Sequence, residues 1–140
     1  MPDGQKFWSP DVAYFGGRFH LYYAIANSID HEACIGHATS AAMGLVGSWT
    51  DDGAPLICSA VDDDWWAIDP SVFVEGDKAS LLIGSSGTGL RLLELDTAGA
   101  RTARAPTIVA ARPDGGTLQA SAITYHDGYY YVFGSFDICC

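Results

Sequence analysis

Apolar and polar positions alternate along this chain in short runs, punctuated by turns rich in glycine, aspartate and proline. The run Asp11-Val12-Ala13-Tyr14-Phe15 reaches the pair Gly16-Gly17 and returns as Arg18-Phe19-His20-Leu21-Tyr22-Tyr23-Ala24. Two β-prone runs joined by a diglycine predict a hairpin, because glycine adopts the positive φ values that tight hairpin turns need. A third run spans 34–40, and the segment 47–53 closes the unit. The pattern then begins again. Pro70 leads through Val72-Phe73-Val74 to the turn Glu75-Gly76-Asp77-Lys78 and back along 79–85, residues 89–95 alternate as a third strand, and 96–113 hold a fourth with its loops. A last unit opens at Gln119, turns at His126-Asp127-Gly128 and returns along 129–135, where the tyrosine run predicts alternate residues facing core and solvent.

Each unit starts in the same way: Trp8-Ser9-Pro10-Asp11, Ile68-Asp69-Pro70-Ser71 and Gln119-Ala120-Ser121-Ala122. Aligned on Pro10, Pro70 and Ser121, the periods are 60 and 51 residues. Units of that size, built from short strands with almost no helical periodicity, predict blades of a β-propeller, with boundaries near 7–60, 61–117 and 118–140 and the last one incomplete. The competing architecture is a small β-sandwich complete in 140 residues. The chain ends directly after a strand, which reads against completeness.

With 49% apolar residues the chain has the means to build a core. Its apolar runs are strand-length, so no membrane span is expected. The start Met1-Pro2-Asp3-Gly4-Gln5-Lys6 lacks the pattern of a signal peptide, and so reads as cytoplasmic or as lacking its own beginning. A net charge of −10 opposes nucleic acid and anionic membranes, and suits neutral ligands such as sugars. Cys34 and Cys58 are isolated and Cys139-Cys140 adjacent, with no Cys-x-x-Cys pair; buried free thiols are the expectation for the first two, a disulfide framework staying open.

Asp69 is the first candidate for chemistry. A carboxylate ahead of a proline that cannot donate a backbone hydrogen bond reads as a strand start facing an opening, although an aspartate capping a turn has the same signature. Asp11 is either a ligand group or an acceptor for loop amides. Trp8, Trp65 and Trp66 offer the large face and polar edge that stack on sugars, whereas Trp49 reads as core. Asp62-Asp63-Asp64 lacks the loop spacing of a calcium-binding hand and reads as solvated. His20, His31, His37 and His126 show no pairing at metal spacing; His37 alone lies on a strand able to reach a channel.

The motifs Phe7-Trp8-Ser9-Pro10-Asp11-Val12, Leu21-Tyr22-Tyr23-Ala24, Ile35-Gly36-His37-Ala38-Thr39-Ser40, Ala67-Ile68-Asp69-Pro70, Gly84-Ser85 with Gly89-Leu90, and Gly128-Tyr129-Tyr130-Tyr131 leading to Ser135-Phe136-Asp137-Ile138-Cys139-Cys140 resemble glycoside hydrolase family 43, most nearly its endo-1,5-α-L-arabinanases. The resemblance spans nearly the whole chain in order. It implies an all-β fold of five-bladed β-propeller type, of which about two and a half blades are present here. It also implies inverting hydrolysis by a base, an acid and a third carboxylate that tunes the acid's pKa, with base and acid roughly 6.5–9.5 Å apart to admit water.

On that resemblance Asp69 matches the pKa-tuning carboxylate. Gln119 occupies the general-acid position, where the family reads Glu-Ala-Pro and this chain reads Gln119-Ala120-Ser121; an amide has no proton to give. The base belongs to a blade ahead of Trp8, absent from this sequence. Trp8, Asp11, Trp66 and Ser71 are the expected substrate contacts. Ser86-Gly87-Thr88 stand where the family usually has bulky aromatics. No metal site or cofactor is expected within the chain, since the family's central calcium is held through residues beyond Cys140. The implied partner is arabinan or a related oligosaccharide, with a xylan- or arabinoxylan-active relative, or a carbohydrate-binding piece without activity, as alternatives. Self-association through open sheet edges is a further expectation. The implied location is extracellular.

Overall fold

A computed structural model describes residues 5–27, 32–44, 47–84 and 88–137. His31, Ser85, Ser86, Gly87, Cys139 and Cys140 lie outside the described residues. No helix occurs among those described, so none is long and apolar enough to cross a membrane. The strands are β1 (Gln5–Phe15), β2 (Arg18–Asn27), β3 (Ala33–Ser40), β4 (Thr50–Asp51), β5 (Ile57–Ser59), β6 (Ile68–Glu75), β7 (Lys78–Gly84), β8 (Leu90–Leu95), β9 (Thr107–Ala110), β10 (Leu118–His126) and β11 (Tyr129–Phe136). They form three antiparallel sheets in chain order: β1-β2-β3-β4 with β5 also on β3, then β6-β7-β8-β9, then β10-β11.

The hairpins sit at the predicted turns. Gly16 and Gly17 close the first with φ of 55° and 81°. Gly16 is needed for a second reason: a Cβ there would stand 2.1 Å from the Thr97 carbonyl oxygen of the second sheet, so a side chain would force the two sheets apart.

Along β2 the buried residues are His20, Tyr22, Ala24 and Ala26, and those between are half-buried, which is the period of two that the sequence shows. β7 reads differently because the second sheet is covered on both faces. Leu81 and Ile83 join the core shared with the first sheet, through Tyr22, Ile35 and Ala67. Leu82, between them, joins a smaller core with Leu90 and Leu118 of the third sheet.

Two expectations are corrected. Every residue of β11 is exposed, so the tyrosine run does not alternate between core and solvent. The hairpin β10-β11 has the second sheet against it, and what contact β11 makes is partial: the Tyr130 ring packs edge-on to Phe73 at 5.9 Å and its hydroxyl donates to Glu75 at 2.8 Å. The expectation of free thiols at Cys34 and Cys58 also fails, since the two form a disulfide. Strand β5, only three residues long and not legible as a strand, returns along β3 and sets Cys58 directly opposite Cys34.

Candidate functional site

The three strand starts share a backbone device. β1, β6 and β10 each break register with their partner strand at the same place, after Trp8, after Ile68 and after Gln119. The residue that follows has positive φ in every case: 45° at Ser9, 52° at Asp69 and 51° at Ala120. Non-glycine residues held in this region cost on the order of 1–2 kcal/mol each, and such strain gathers where a side chain must be aimed. A bulge of this kind turns one residue out of the ladder. Pro10 and Pro70 fit directly behind it, where no ladder donor is required.

The three starts converge on one depression of about 240 Å³, lined by Ser9, Pro10, Asp11, Asp69, Pro70, Ser71, Ala120 and Ser121. Asp69 spans the sheets. Its Oδ1 accepts from the Ser9 hydroxyl at 2.5 Å and its Oδ2 from the Ala120 backbone N–H at 3.0 Å, so the first and third sheets each fix one oxygen. Gly84, on β7 behind it, makes the approach possible: a Cβ there would lie 3.2 Å from Asp69 Cβ, 3.2 Å from Ala120 N and 3.3 Å from Gln119 Cα.

Asp11 lines the same depression, but backbone amides hold both its oxygens: Val12 N–H at 2.9 Å and, across the sheet boundary, Val72 N–H at 2.7 Å. It stitches β1 to β6. Ser71 is half-buried in the wall. Gln119 is half-buried beside it, with its side-chain amide donating to the Asp137 carbonyl at 3.2 Å. Trp8 and Trp66 are not brought into the depression; both are partly buried against the first core. Trp65 packs there too, with the Arg91 guanidinium 4.6 Å over its ring. Among the described residues no three histidine, cysteine or carboxylate side chains gather as a metal-binding group. Asp63 caps the Ala60 N–H at 2.7 Å, and Asp64 accepts from the Thr88 hydroxyl at 3.2 Å.

His37 does not line the depression. It is 2% exposed, with Nε2 3.0 Å from His20 Nδ1 and Nδ1 2.7 Å from Asp52 Oδ2. The Phe15 carbonyl, 3.2 Å from His20 Nε2, can only accept, so His20 Nε2 donates to it, and one proton is shared across the contact between the two rings. Tyr22 stacks on His37 at 4.7 Å and donates to the Gly99 carbonyl of the second sheet's loop at 2.8 Å. The sequence reading found no histidine pairing. The available signal was the alternation on β2, which puts His20 and Tyr22 on one face, with β3 registering His37 against Tyr22.

The profile of Glycosyl hydrolases family 43 matches residues 1–140. The Extracellular endo-alpha-(1->5)-L-arabinanase 1 of Bacillus subtilis (strain 168) is 37% identical over 139 residues, covering 98% of this chain and 42% of its own length. Among solved structures, the GH43 endo-arabinanase from Bacillus licheniformis superposes with a TM-score of 0.83 at 38% identity over 96% of this chain and 46% of that one. An exo-1,5-alpha-L-arabinanase from a bovine ruminal metagenomic library has a TM-score of 0.79 at 26% identity, covering 96% and 48%. The chain thus spans less than half the length of these relatives. The three sheets are blades of a fold of the five-bladed β-propeller type, two of them with four or more strands and the third with two.

Proposed function

The chain belongs to glycosyl hydrolases family 43, and from that premise we propose that it serves the inverting hydrolysis of 1,5-α-L-arabinan, with Asp69 as the carboxylate it brings to the reaction. The observation that carries this reading is the anchoring of Asp69 by a different sheet at each oxygen, in the depression where three strand starts meet. A carboxylate so held accepts from sugar hydroxyls in a fixed direction, and its charge keeps a neighbouring acid protonated. Ser71 and Asp11 form the wall beside it. Trp8 and Trp66 act through packing, holding the strand starts rather than touching the sugar. The base, which the resemblance places ahead of Trp8, and any central calcium lie outside the strands described.

Gln119 favours a second reading. Its amide, tied to the Asp137 carbonyl, sits where the acid is expected and transfers no proton; a site built this way holds arabinan without cleaving it. Secretion is part of the proposal: the Cys34–Cys58 disulfide suits an oxidising compartment.

The test is release of reducing ends from linear 1,5-α-arabinan, with binding to the polymer measured in parallel. Asp69→Asn is expected to abolish release. Gln119→Glu is expected to raise it by about 100-fold or more, the usual worth of a positioned general acid. No gain in Gln119→Glu, with binding retained, would mean that this chain by itself holds the polymer without cleaving it.

A further inference from the structure

The position after the left-handed residue is proline in two of the three strand starts, Pro10 and Pro70, and serine in the third, Ser121. Ser121 is 7% exposed and stands in the wall of the depression with Asp69 and Ser71. Among the described residues, its hydroxyl is the one buried side-chain polar atom without a hydrogen-bond partner. Burial of an unpaired hydroxyl is costly, and the two equivalent positions avoid it with proline.

Asp69 supplies the complementary half. Each carboxylate oxygen has two lone pairs and accepts one bond here, from Ser9 or from the Ala120 amide, so each keeps capacity for another. Among the described residues no lysine or arginine lines the depression, while Asp11 and Asp69 both do, so an anion is disfavoured. A group that accepts from a serine and donates to a carboxylate must do both at once, and a saccharide hydroxyl is one that does so from a single atom.

We propose that Ser121 is a specificity-determining residue: its hydroxyl donates to, and the Asp69 carboxylate accepts from, one hydroxyl group of a neutral saccharide, with Ser9 as the positioning residue that aims the carboxylate. The assignment rests on the reading of this depression as a sugar site, and it concerns residues at which this chain departs from its own repeat.

The experiment is calorimetric titration of the 140-residue chain with linear arabino-oligosaccharides and, separately, xylo-oligosaccharides. Ser121→Ala is expected to weaken binding by about tenfold, the usual worth of one hydrogen bond to a charged or shared partner. Its Tm should hold or rise, because an orphaned polar atom has been removed, whereas a structural hydroxyl would lower it. Ser121→Thr, which keeps the hydroxyl, is expected to bind as the parent does. Ser9→Gly keeps the left-handed backbone; it should shift the Asp69 carboxyl carbon resonance and weaken binding by about threefold, less than loss of a direct contact. Unchanged affinity in Ser121→Ala overturns the proposal and leaves an ordered water as the partner. Binding of xylo- but not arabino-oligosaccharides, still sensitive to Ser121→Ala, upholds it while sinking the arabinan reading. Binding of neither overturns both.

Discussion

The two sheet junctions begin from the same backbone device and end as different interfaces. Between the first and second sheets, Tyr22, Ile35, Leu81 and Ile83 are fully buried, and polar bonds cross from Ser9 to Asp69, from Val72 to Asp11 and from Tyr22 to Gly99. Between the second and third, the buried core is Leu82, Leu90 and Leu118, and the hairpin behind it exposes Tyr129, Phe133 and Phe136. The lesson is a division of labour. The bulges aim side chains at the depression, whereas the larger buried core lies in the first junction, so a change can strike one with little effect on the other.

The strongest way to break that contrast is at Gly99, where the second sheet's loop meets the histidines. Its φ is +84°, and a Cβ would stand 2.4 Å from His20 Nδ1, 2.7 Å from His37 Nε2 and 2.7 Å from the Tyr22 hydroxyl. Gly99→Ala combines backbone strain with overpacking and is expected to cost about 4 kcal/mol, read by urea denaturation. A loss under about 1 kcal/mol would mean that the loop lifts freely and the first junction is not the stronger one.

Adjacent residues of β7 sharpen the contrast, because they serve opposite junctions from one strand. Leu81 and Leu82 are both fully buried. Leu81→Ala opens a cavity among closely packed neighbours and should cost about 4 kcal/mol; Leu82→Ala, beside a sheet with room to relax, about 2.5 kcal/mol. Equal losses would erase the distinction. Within the first sheet, reduction of the Cys34–Cys58 disulfide should remove about 3 kcal/mol, given a sequence separation of 24, and leave the Leu82→Ala effect unchanged.

What the sequence made legible follows from which interactions are local. The hairpin turns and the common form of the three strand starts rest on neighbours in the chain. The disulfide and the His20–His37 pair do not: each requires knowing how a third strand registers on a second. Trp8 and Trp66 could not be placed from sequence for a related reason. A tryptophan next to a strand start has the same composition signal whether its ring turns into the core or toward a ligand, and here the bulge turns Ser9 and Asp69 outward while the indoles pack inward. The exposed tyrosines of β11 show the limit of periodicity, which predicts faces but not whether a partner covers them.

The first junction also carries the pH dependence. Burial, and then the charge of His37, hold the His20 imidazole below its ordinary 6.5, against the Phe15 carbonyl and Asp52, which favour the proton; Arg18 adds to the lowering. The unfolded chain therefore binds a proton below about pH 6.5 that the folded one resists. Stability from this group is complete above that pH and declines as pH falls toward the folded value, since the proton would go onto a buried ring 3.0 Å from His37. His20→Gln should flatten that decline in denaturation series between pH 7 and pH 5. An unaltered slope would place the titration elsewhere.

The smallest expected change in stability is at Gly84, and it has the most to say about the site. A Cβ there meets its neighbours at 3.2–3.3 Å, closer than carbon atoms rest but by only a few tenths of an ångström. Two of those neighbours, Ala120 and Gln119, belong to the start of β10, which should yield by those few tenths of an ångström at a cost of about 1 kcal/mol. That same movement lengthens the 3.0 Å bond from the Ala120 amide to Asp69 Oδ2, freeing one carboxylate oxygen while Ser9 still holds the other. Gly84→Ala should thus weaken arabino-oligosaccharide binding by about threefold or more while lowering Tm by only about 4 °C. Leu81→Ala should do the reverse, lowering Tm steeply while the folded fraction binds as before. If both substitutions moved affinity and stability together, the separation between aiming and holding would not exist in this molecule.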